Sequence, residues 1–120
     1  MYVQGFLLAV PEDKKDEYRE MAEKAWSMFQ GFGAVDTVEA WEDAVEDGKV
    51  TDFRMATKAE PGEKIVFSWI IWPDKATYDE AFRRMTSGEG TEDMPTEMPF
   101  DGMRMMWGGF EPIFAPGSAK

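Results

Sequence analysis

Hydrophobic and polar positions along the chain change period several times, and each change marks an element. Residues 2–10 are aromatic, β-branched and apolar, and Pro11 closes them, which predicts a strand. Glu12 and Asp13 then place acids where a first helical turn favours them. Tyr18, Met21, Ala22, Ala25, Trp26, Phe29 and Phe32 follow at helical spacing. Lys14, Lys15, Glu17, Arg19, Glu20, Glu23 and Lys24 fill much of the opposite face, and Gly31 and Gly33 supply stop signals. Residues 34–44 alternate loosely, with Val35, Thr37, Glu39 and Trp41 on one side, and read as a second strand.

Residues 50–59 fit a short strand, a helical turn or a structured loop, and residues 60–63 fit a turn. Residues 65–72 (IVFSWIIW) are a strand apolar on both faces, the pattern of burial on both sides. Pro73 and a capping Asp74 open a second helix with Tyr78, Ala81, Phe82 and Met85 as its stripe. Residues 86–100 are a polar, acidic loop, and residues 102–110 a final Met-rich strand.

The order is β-α-β-β-α-β, an α+β, ferredoxin-like arrangement. It is expected to form a four-stranded antiparallel sheet with two helices on one face, as a single domain over residues 1–114 with a frayed tail at 115–120. The doubly apolar third strand then leaves an apolar patch on the bare face. The expected remedy is a homodimer packed sheet to sheet around a barrel-like interior.

Composition narrows the chemistry. The chain has 120 residues, 43% of them hydrophobic, enough for one cored domain. No apolar run approaches a membrane span, so no membrane partner is expected. The start lacks the basic and apolar parts of a signal peptide, and the expected location is cytoplasmic. A net charge of −11 argues against nucleic acid as a partner. With no histidine and no cysteine there is no Ser-His-Asp triad, no thiolate nucleophile and no imidazole for zinc or haem iron. No metal and no cofactor is expected. The ten methionines read as core filling.

Residues 1–11 (MYVQGFLLAVP), 39–43 (EAWED), 48–54 (GKVTDFR), 66–73 (VFSWIIWP) and 98–105 (MPFDGMRM) together resemble the YbaA-like family of small bacterial proteins of unknown function. The resemblance implies a dimeric α+β barrel and brings no activity, substrate or catalytic residue. The wider superfamily of such barrels includes cofactor-independent oxygenases, haem-degrading enzymes, chlorite dismutases, muconolactone isomerases and binding modules, and a fold does not choose among them.

Polar residues stranded among apolar ones mark the candidate site. Gln4, Ser68 and Glu39 each alternate with apolar neighbours, and Arg104 lies on the last strand. On the bare sheet face they would line one pocket. Glu39 would serve as a base or as the partner of Arg104, with Arg104 or Ser68 stabilising charge. The alternative is that all are satisfied interior or solvated groups. Trp41 and Trp72 flank this set as ligand contacts. Asp52, Phe53 and Arg54 lie in a long connection, where an Asp-Arg pair can clamp a small polar ligand. The alternative there is an anchoring Phe53 with solvated neighbours. Residues 98–102 form either a lid or a tight turn. Three functions stay open: a small-molecule-binding barrel, a cofactor-independent oxygenase- or isomerase-type enzyme acting on an apolar or aromatic substrate, and a purely structural dimer with a filled interior.

Overall fold

A computed structural model describes residues 1–92, 94 and 97–117 of the chain. The strands are β1 (Tyr2–Pro11), β2 (Asp36–Trp41), β3 (Glu63–Trp72) and β4 (Met106–Phe110). The helices are α1 (Lys15–Gly31), α2 (Phe53–Thr57) and α3 (Lys75–Ser87), with 3-10 turns at Glu12–Lys14 and Gly102–Arg104. The fold is α+β. Its sheet is antiparallel throughout, in the order β2-β3-β1-β4.

The first helix starts later than its acids suggest: Glu12 and Asp13 lie in the 3-10 turn, and α1 begins at Lys15. The Asp74 side chain accepts from the Thr77 amide and caps α3. Residues 50–59 resolve as a helical turn: Asp52 caps the five-residue α2 by accepting from the Met55 amide. The described residues therefore hold three α-helices rather than the two expected. The last strand is also shorter than the 102–110 read from sequence. Asp101 accepts from the Met103 amide and turns residues 102–104 into a 3-10 segment. Of the expected tail, residues 118–120 lie outside the described residues.

Gly33 sits at φ 108°, where the chain leaves α1, and a Cβ there would come within 2.6 Å of Thr77 Cγ2. Glycine lets α1 and α3 approach and turns the chain into β2 at once.

Register decides which side chains share a face. Gln4 opposes Ile70, Phe6 opposes Ser68, Leu8 opposes Val66, and Glu39 opposes Ser68 from the other side of β3. This set lies under the helices. Met28, Phe29 and Trp26 of α1, and Tyr78, Ala81 and Met85 of α3, pack with Phe6, Ile70 and Trp72. The other face presents Val3, Leu7, Phe67, Trp69, Ile71, Val38 and Phe110. No helix of the described residues is long and apolar enough to cross a membrane.

Candidate functional site

Gln4, Ser68 and Glu39 do share one face, but it is the helix-covered face and not the bare one. The reason is the alternation itself. β3 is apolar on both sides, so period alone does not say which side the helices cover. The pocket is consequently within one chain, between α1 and the sheet.

That cavity measures about 170 Å3, and its walls are mostly apolar: Phe6, Trp26, Phe29, Ile70, Phe100 and several methionines. Tyr18, Thr37, Glu39 and Ser68 supply its polar part. Tyr18 arises from the apolar stripe of α1 and is buried; its hydroxyl donates to Glu39 Oε1 at 2.6 Å. On edge strand β2, Glu39 keeps much of its surface accessible while its carboxyl turns inward to Tyr18. Protein crowded around that carboxyl raises its pKa above the ordinary glutamate value. Hydrogen bonds with Tyr18 and Ser68 pull it back in part. Burial first, and the Glu39 charge second, push the Tyr18 hydroxyl far up, so Tyr18 stays protonated and donates. Phe100 meets the Tyr18 ring edge-on at 5.7 Å between centroids. Met98 and Phe100 also line the cavity, which places part of the acidic loop against it. Asp93, Pro95 and Thr96 of that loop lie outside the described residues.

Arg104 does not meet Glu39. Its guanidinium makes two parallel bonds of 2.8 Å to Glu63, a third of 3.0 Å to Asp101, and donates to the Lys58 carbonyl. The guanidinium lowers the Glu63 pKa against the opposing effect of burial. Arg104 is thus a tie between the start of β3 and the turn before β4. Asp52 and Arg54 form no clamp. The Asp52 carboxylate is taken by the Gly48 and Met55 amides, and Arg54 pairs with Glu42 and donates to the Glu63 carbonyl. Phe53 reaches the opposite face, edge-on to Phe67 at 6.2 Å. Trp41 shares Glu39's face and packs against the Leu8, Val10, Tyr18 and Val66 cluster, with Lys15 5.5 Å from its ring. Trp72 is buried and donates through Nε1 to Gln4 Oε1 at 3.1 Å.

Sequence reasoning missed Tyr18 as a polar group, although a tyrosine in an apolar stripe brings a hydroxyl that needs a partner once buried. It also missed Glu42 and Glu63, whose role rests on pairings across more than ten residues. Among the described residues, no three carboxylates gather as metal ligands.

The Arg104–Glu63 pair sets a sign for acid stability. Glu63's pKa is lowered by folding, so its stabilisation is complete above the ordinary glutamate pKa and is lost as pH falls through the lowered one. Glu39, raised, works in the opposite direction. Arg104→Met should cost about 2 kcal/mol in urea unfolding at pH 7 and flatten the loss of stability between neutral and acid pH. An unchanged urea midpoint would remove the tie.

The comparisons with known proteins agree among themselves. The family model described as "Protein of unknown function (DUF1428)" matches residues 1–102. Proteins described as "Uncharacterized protein YbaA" from Escherichia coli (strain K12) and from Shigella flexneri are each 56% identical over 112 residues. The match covers 93% of this chain and 96% of each relative. The YbaA protein of Escherichia coli O157:H7 matches to the same extent. With the family model and these bacterial relatives spanning nearly the whole fold just described, the chain belongs to the DUF1428 family of proteins of unknown function.

Proposed function

We propose that this protein binds a small, largely apolar molecule in the cavity under α1, with a hydrogen-bond donor of that molecule meeting the Glu39 carboxylate. The observation that carries this is a carboxylate held by the Tyr18 hydroxyl at an apolar cavity that, among the described residues, no Lys or Arg lines. Such a carboxylate lacks an ion-pair partner, and a donor from a ligand supplies the missing interaction. A purely structural dimer would have a filled interior, and the cavity counts against that reading.

The raised pKa of Glu39 favours a second, catalytic reading, in which Glu39 is the base of a cofactor-independent enzyme and takes a proton from the bound donor. Ser68 is then the nearby group that stabilises charge; Arg104 drops out because Glu63 and Asp101 hold it. Base activity would rise with pH through that raised pKa.

The strand order, with α1 and α3 packed on the same side, supports a ferredoxin-like arrangement for residues 1–114. The uncovered face supports a homodimer closed sheet to sheet. Phe67 is 49% and Phe110 61% exposed there. For a chain of net charge −11, that uncharged centre is the surface two copies can share with least repulsion. In this reading the protein works in the cytoplasm, which a chain without cysteine allows.

Two measurements test these readings. Calorimetric titration with 2-naphthol, a hydroxyl on an apolar body, should show binding that weakens about tenfold in Glu39→Gln. Equal affinity in the variant would contradict a role for Glu39. Light scattering should give twice the chain mass for the native protein and the single-chain mass for Phe67→Glu. A native monomer would overturn the dimer.

A further inference from the structure

The Glu39 cavity has a neighbour. A second cavity of about 300 Å3 lies between α3 and the sheet, with Gln4, Trp72, Tyr78, Phe82 and Trp107 in its walls. The two cavities share Phe6, Phe29, Met85 and Met105. Half of that partition is methionine, an unbranched side chain that changes rotamer and refills space easily.

Gln4 is the buried carboxamide of the second cavity, whose wall also includes Tyr78 and Thr86. It is 6% exposed, and its Oε1 accepts from Trp72. An indole N–H can only donate, so the carboxamide must turn its oxygen to Trp72 and its Nε2 away. That Nε2 has no hydrogen-bond partner among the described residues. It is not sealed in protein either, since no buried side-chain polar atom there is unsatisfied. It therefore keeps some accessible surface, and Gln4 is a residue of the second cavity's wall.

The combined space has a direction. One end offers an acceptor, the Glu39 carboxylate, and the other a donor, the Gln4 amide. Between them stand aromatic and methionine side chains, and among the described residues no Lys or Arg lines either cavity. Glu39 is level with Ser68 and Phe6 across the sheet, and Gln4 lies two residues along β1 from Phe6. Two strand spacings of about 4.8 Å and two residues of about 3.3 Å put the Glu39 and Gln4 Cα atoms about 12 Å apart. Side chains reaching inward leave a span that suits two fused rings.

We infer that the two cavities form one elongated site for a flat, uncharged aromatic molecule of two rings, with a hydroxyl directed to Glu39 and a carbonyl directed to the Gln4 amide. This rests on the reading of the Glu39 cavity given above and extends it. Carboxylates and phosphates are excluded as the recognised group, because neither cavity offers a cation to meet them and the Glu39 charge repels them.

The test is calorimetric titration at pH 7 with 7-hydroxycoumarin, which has both groups, 2-naphthol, which lacks the carbonyl, and coumarin, which lacks the hydroxyl. The proteins are the native chain, Gln4→Leu and Met85→Trp, each confirmed as folded by circular dichroism. In the native chain 7-hydroxycoumarin should bind at least about threefold tighter than either other probe. Gln4→Leu should erase its advantage over 2-naphthol and leave 2-naphthol unchanged. Met85→Trp, which fills the partition, should weaken 7-hydroxycoumarin selectively, and it carries the test alone if Gln4→Leu does not fold. If 2-naphthol and 7-hydroxycoumarin bind equally and neither substitution separates them, the elongated site is overturned while the Glu39 reading stands. If no probe binds, both fall.

Discussion

Alternation along the strands is the constraint on which everything else in this protein depends. Because β3 is paired on both sides, its register fixes a row running Glu39, Ser68, Phe6 across three strands, and a neighbouring row through Thr37, Ile70 and Gln4. A one-residue shift of β3 against β1 would turn Ser68 outward and put Phe67 or Trp69 under the helices, and one of β2 against β3 would turn Glu39 outward. The polar groups of the site are therefore placed by backbone hydrogen bonds far more than by any attraction among themselves. α1 then completes the site by lowering Tyr18 onto Glu39.

The two ionic features of the fold divide the work by location. At the start of β3, Glu42 and Glu63 are buried carboxylates matched by Arg54 and Arg104, and those pairings hold α2 and the turn before β4 to the sheet. On edge strand β2, Glu39 faces a hydroxyl instead of a guanidinium. A hydroxyl stabilises a carboxylate without a counter-charge, so Glu39 is unpaired where Glu63 is held ionised by Arg104. Position in the fold, and not residue type, separates a glutamate paired with arginine from one that faces a hydroxyl.

How much of this was legible in the sequence follows from the range of each interaction. Local signals held: the stripe of α1, the Asp74 cap and the apolar β3 all lie within a few residues of their causes. The grouping of Gln4, Ser68 and Glu39 was legible because each interrupts an apolar alternation. Their side of the sheet was not, because Ile65, Phe67, Trp69 and Ile71 are as apolar as Val66, Ile70 and Trp72. Arg104 looked free because its partner Glu63 is 41 residues away, and nothing local distinguishes a paired arginine from a waiting one. Tyr18 was hidden by its own ring, which serves the helix stripe while its hydroxyl serves the site.

The central claim is that Glu39 titrates abnormally high because it is crowded into an apolar cavity and held there by Tyr18. Carbon-13 NMR of side-chain-labelled glutamates, assigned by Glu39→Gln, measures this directly. The native Glu39 resonance should titrate above the ordinary glutamate range, and it should move higher still in Tyr18→Phe, since the lost hydrogen bond was lowering it. A Glu39 that titrates like an exposed glutamate in both proteins would contradict the account.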